Sequence, residues 1–193
     1  MMNYSVYEIL KGLRQRVNED NELIIQTTGG NVEKARFEFF PSASPEELKF
    51  LSEKHEINLA PDYVDFLLLH NGAKLFDIGF GECTEIYSIS QIIEKVEIMP
   101  DIAPGLLPIA NSPSGSVFLD TTREEQNIFI QKGGSEFNFL SMDFMKWLEV
   151  LIIANGANFE EWTPLLLYRT IDENELMVKD WIIRGLKSNK ESD

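Results

Sequence analysis

Residues 44–72 constrain this chain more than any other stretch, because they carry the start and stop signals of two successive helices. Ser44 can accept a hydrogen bond from an orphaned first-turn amide, and Pro45 falls at the first helical position, where its missing N–H costs nothing. Glu47 sits three residues after Ser44 and completes a capping box. Leu48, Leu51 and His55 share one face, flanked by Phe50 and Lys54, so the leucine side is the expected buried side. Ile57 and Leu59 lead into Pro61, which opens the second helix. Tyr63, Phe66, Leu67 and His70 recur at helical spacing, with Asp62 and Asp65 expected on the wetter face. Asn71-Gly72 is expected to end that helix, with Gly72 left-handed.

The remaining elements follow from period and punctuation. Residues 4–17 predict a first helix with Val6, Ile9, Leu10, Leu13 and Val17 on one face and Lys11, Arg14 and Arg16 on another. Residues 23–27 and 32–40 predict a hairpin across Thr28-Gly29-Gly30-Asn31, with Phe37 and Phe39 alternating against Arg36 and Glu38. Residues 75–78 and 85–89 read as strands around a glycine-containing loop, and Ser90 is expected to cap a short helix through Val96. Pro100 and Pro104 force an irregular connection. Residues 107–110, 116–120, 127–131 and 137–140 read as extended segments. Ser141 is expected to cap a strongly apolar helix over 142–155, ending at Gly156. The fold class is therefore α+β, a mainly antiparallel sheet of about five to six strands with helices packed against it.

Composition narrows the class of protein. The chain has 193 residues, 44% hydrophobic and 25% charged, which suits one ordinary globular domain. No apolar run reaches the roughly 18 to 20 residues of a membrane span, and the start lacks the basic and apolar regions of a signal peptide. The single cysteine, Cys83, excludes an internal disulfide. A cytoplasmic location is the expectation. Thirty-two acids against 17 bases give a net charge of −15. That field repels nucleic acid and anionic membranes and speeds encounter with a basic partner. The acids are dispersed along the chain, so they belong to a folded surface and not to a tail.

A catalytic constellation is missing from the pattern. His55 and His70 both lie on the helical pair and read as structural. Neither His-Glu-x-x-His nor paired-cysteine spacing occurs, so no metal or cofactor is expected. Acidic neighbours disfavour the Cys83 thiolate, the reverse of an activated nucleophile. Glu124-Glu125 fall in a turn. The expectation is a protein without enzymatic activity.

The same residues resemble a known family. The helix start Ser44-Pro45-Glu46-Glu47, then Leu59, Pro61, Asp62, Tyr63, Phe66, Leu67, Asn71 and Gly72, are similar to the opening of the Smi1/Knr4 family of the SUKH superfamily, with Ala60 interposed before Pro61. The likeness resumes at Leu107-Pro108-Ile109-Ala110 and runs through Ser114 to Thr121, where Ser116 stands in place of the family's frequent aspartate. Ser141, Phe144, Trp147 and Leu148 fit its closing helix. The resemblance covers about residues 37–155. It implies a domain over 1–156, in which an N-terminal helix and hairpin precede the family core, with 157–193 as a helical appendix packed on it. Bacterial members are commonly immunity proteins of polymorphic toxin systems. The implied role is to bind and neutralise a cognate protein toxin, basic and possibly a nuclease, through an acidic surface. Loop acids near strand ends are the candidate contacts: Asp77, Glu82, Glu85, Asp120, Glu124 and Glu125. The alternative implied by fungal relatives is an intracellular regulatory or scaffolding module that binds proteins.

Overall fold

Every described strand of this protein hydrogen-bonds to the strand next to it in the chain. The computed structural model describes residues 5–79, 81–99, 102–134, 137–157 and 159. In chain order these hold α1 (Val6–Arg14), β1 (Glu22–Gln26), β2 (Val32–Phe39), α2 (Pro45–His55), α3 (Pro61–Leu69), β3 (Ala73–Asp77) and β4 (Thr84–Ile86). There follow α4 (Ile89–Ile98), β5 (Leu106–Ser112), β6 (Gly115–Asp120), β7 (Ile128–Gln131), β8 (Phe137–Phe139) and α5 (Phe144–Ile153). The strands form one antiparallel sheet in the order β1-β2-β3-β4-β5-β6-β7-β8. The expected α+β architecture is present, with eight strands where five to six were expected. The N-terminal hairpin joins the same sheet, because β2 pairs with β3 across the whole helical pair, Arg36 opposite Asp77 and Phe39 opposite Ala73. The expected appendix at 157–193 lies almost entirely outside the described residues.

Strand periodicity sorts the sheet into two faces. Ala35, Phe37, Leu75, Ile86, Ala110, Val117, Leu119, Ile128 and Ile130 are buried on one face. The register places Lys34, Arg36, Lys74 and Glu85 on the other. Toward β8 that second face turns aromatic: Phe118, Phe129 and Phe139 pair across three strands, and the Arg123 guanidinium lies 4.8 Å from the Phe139 ring centre. Helices α1, α3 and α5 pack on one another, and α2 packs on α4. Tyr63, Phe66 and Phe144 meet edge to face where α3 crosses α5.

Helix starts show where local chemistry outranked the expected signals. The capping box of α2 is present, with the Ser44 hydroxyl accepting from the Glu47 amide and the Glu47 carboxylate from the Ser44 amide. Ser88, not Ser90, caps α4, completing a second box with Gln91. Asp143, not Ser141, caps α5, and Ser141 instead takes a left-handed backbone. Asp62 is half-buried. Its carboxylate reaches across to accept from the Met145 amide at 2.8 Å and from its neighbour Tyr63, so α3 supplies part of the N-terminal capping of α5. Burial is the main reason its pKa is raised, with those amide bonds opposing.

Candidate functional site

The six candidate acids divide between two places. Asp77 ends β3, Glu82 lies in the following loop and Glu85 is the middle residue of β4, so these three share one hairpin. The Asp77 carboxylate accepts from the Gly79 amide at 2.8 Å, which shapes the turn, and Glu85 accepts from the Gln91 side chain at 3.0 Å. Glu82 is exposed. Cys83 reports on their field: its thiol pKa is raised chiefly by burial, then by Asp77 and Glu85, with Lys74 partly offsetting. A thiol held protonated in this way is a poor nucleophile.

Asp120, Glu124 and Glu125 belong to the β6–β7 connection. An antiparallel meander sends the end of β3 and the end of β6 to opposite ends of the strands, so the two trios do not share a surface. Asp120 is largely committed within its own loop, accepting from the Thr122 amide at 2.9 Å, the Thr122 hydroxyl at 2.6 Å and Arg123 at 3.1 Å. Glu124 and Glu125 are exposed. Each place holds committed and exposed acids: Asp77 and Glu85 accept hydrogen bonds beside the exposed Glu82, and Asp120 does so beside the exposed Glu124 and Glu125.

The Asn71-Gly72 pair does something the sequence reading missed. Helix α3 already ends at Leu69, and His70 is extended. Asn71 instead clamps two helix starts: its carbonyl oxygen accepts from the Ile89 amide of α4 at 2.8 Å, and its amide group donates to Glu47 of α2 at 3.4 Å. Gly72 has φ +97, and a Cβ there would lie 2.8 Å from the Ser88 nitrogen and 2.9 Å from the Ile86 oxygen. Glycine is needed for close approach as well as for its backbone angle. The readable signal was Ser88-x-x-Gln91, a second capping box whose first amides had to find a partner.

Both histidines are built into the helical pair. The His70 ring lies between the Phe40 carbonyl, 3.1 Å from Nδ1, and the Arg14 guanidinium, 2.7 Å from Nε2. Nδ1 therefore donates and Nε2 accepts in the neutral ring. Burial pushes its pKa down, Arg14 adds to this, and the Phe40 bond opposes. His55 is likewise pushed down, by burial and then by Lys54, with Glu97 opposing. Among the described residues no group of three or more His, Cys, Asp or Glu could hold a metal ion, and no helix is long and apolar enough to cross a membrane.

The sequence profile of the SMI1 / KNR4 family (SUKH-1) matches residues 42–150, more than half of the chain. The chain belongs to this family. The matched span starts just before the Ser44 capping box and ends within α5. The SUKH-1 chain is also similar to two Bacillus subtilis (strain 168) proteins, each bearing the name of an uncharacterized protein. YobM is 27% identical over 187 residues, covering 88% of this chain and all of YobM. YnaB is 29% identical over 150 residues, covering 74% of this chain and all of YnaB.

Proposed function

We propose that this SUKH-1 protein is an immunity protein that binds a cognate basic toxin stoichiometrically and covers its substrate-binding face, acting without catalysis. The observation that carries the reading is the β3–β4 hairpin, which gathers Asp77, Glu82 and Glu85 around one turn. It sits on a chain of net charge −15. An acidic hairpin of this kind favours rapid encounter with a cationic surface. Asp120, Glu124 and Glu125 form a second acidic loop that contributes to the long-range field. Membership of SUKH-1 supports the reading, since bacterial members of the resembling kind are commonly immunity proteins.

The test is growth rescue when the chain is co-expressed with the toxic product of the adjacent gene. Rescue is expected for the native chain and is expected to fail for Asp77→Asn/Glu82→Gln/Glu85→Gln with folding intact. Rescue by that variant, equal to the native chain, would remove the hairpin from the mechanism. The second reading, an intracellular regulatory or scaffolding module, draws on a separate feature, the apolar seam between α2 and α4. Stable association with a non-toxic protein and no effect on any adjacent toxin would favour it.

A further inference from the structure

We propose that the seam between α2 and α4 is a docking groove for a short basic amphipathic helix presented by a partner protein. This surface is distinct from the β3–β4 hairpin and stands independently of the immunity reading.

Helical spacing builds the groove. Glu46, Phe50 and Lys54 follow one another at four-residue intervals along α2, and Ile89, Ile93 and Glu97 do the same along α4. The helices run side by side in the same direction, because Asn71 ties their starts and Lys54 meets Glu97 at 2.7 Å near their ends. Between these two ties lies an open cleft lined by Glu46, Glu47, Phe50, Ile89, Ser90 and Ile93. Along α2 its lining runs from Glu46 to Phe50, ~6 Å or about one helical turn.

Two observations select the occupant. The floor is apolar, and Phe50 on it is 55% exposed, with the Lys54 ammonium 5.8 Å from its ring centre. The rim is acidic and its cations are spent. Lys54 is paired with Glu97, and Lys49 with Glu53 at 3.6 Å. Glu46 is exposed, and Glu47 is held ionised, its pKa lowered by the hydrogen bonds from Ser44. An apolar slot with an anionic mouth matches a helix with leucine-like residues at i and i+4 and lysine or arginine at the end that meets Glu46 and Glu47. The clamp from Asn71 and the ion pair hold the slot open in advance, which lowers the ordering cost of binding.

The experiment uses the full chain, isotopically labelled, and a 14-residue lysine–leucine amphipathic peptide as probe, with a peptide whose leucines are replaced by serine as control. Amide shifts are expected along residues 46–54 and 89–97, with the serine peptide giving none there. Phe50→Ser is expected to weaken binding at least about tenfold, since a central aromatic anchor is removed. Where Phe50→Ser lowers the melting temperature, Glu46→Arg at the exposed rim decides instead, with a loss of about threefold or more expected. Asp77→Asn/Glu82→Gln is expected to leave peptide binding unchanged, so failure of the toxin reading and failure of this one are separable. Shifts confined to other surfaces, equal binding of the serine peptide, or affinity within about twofold for the deciding variant would overturn the proposal. A dimer of the full chain dissolved by Phe50→Ser would overturn it too, by assigning the groove to a second copy.

Discussion

Gly72 is the position where a single atom decides most. Its φ of +97 disfavours any side chain, and a Cβ would press on the Ser88 nitrogen, the Ile86 oxygen and the Phe40 ring at 2.8 to 2.9 Å. Gly72→Ala is expected to lose at least ~2 kcal/mol in chemical denaturation. An alanine variant within experimental error of the native chain would mean that the backbone relaxes freely there. His70 gives a pH-dependent term with a definite sign. Its folded pKa lies below the ordinary 6.5, so the folded state favours the neutral ring more than the unfolded chain does. The contribution is fully present above pH ~6.5 and is lost as pH falls through and below that value. The stability advantage of the native chain over His70→Gln is therefore expected to shrink between pH 7.5 and pH 5. A gap that widens on acidification would reverse the assignment. The expected left-handed backbone at Gly72 is present. The sequence reading missed why Gly72 is needed, because the partner backbone at 86–88 arrives from the far end of the next hairpin.

At the scale of elements, helix starts separate what local sequence can and cannot specify. Ser44-Pro45-x-Glu47 was legible in full because a capping box is closed within four residues. Ser88 and Ser90 flank Ile89, the first residue of α4, and the Ser88–Gln91 pairing distinguishes them. Ser88→Ala is expected to lower stability by about 1 kcal/mol and Ser90→Ala by a few tenths at most. Equal losses in thermal melts would show that the cap is shared. Asp62 was misread for a different reason: its spacing is that of a solvated face, and its partner, the Met145 amide, lies 83 residues away. Of the six candidate acids, Glu82, Glu124 and Glu125 lie in loops, Asp77 and Asp120 end strands, and Glu85 lies inside β4. Their division between two ends of the sheet follows from strand order, which no local pattern encodes. Phe50 was visible as a flanking residue of α2, but its neighbours Ile89 and Ile93 belong to another element.

For the whole molecule, net charge and topology dominate. With 32 acids against 17 bases, self-repulsion opposes the folded state at low ionic strength. Raising salt from 20 to 200 mM is expected to increase unfolding stability while slowing association with a basic partner. A fall in stability over that range would mean that exposed ion pairs such as Lys11–Glu8 and Lys146–Glu149 outweigh the repulsion. The α+β class was legible from alternating periods; the inclusion of the first hairpin in the main sheet was not, since β2 and β3 are separated by two helices. The strand order has a further consequence for how the chain is made. No strand is inserted between two earlier ones, so each can pair with an edge that has already left the ribosome, and the sheet can grow in the order of synthesis. Once β6 has left the ribosome, the β5–β6 pairing and every described strand pair before it can be in place, with β7, β8 and α5 still to be added from one side.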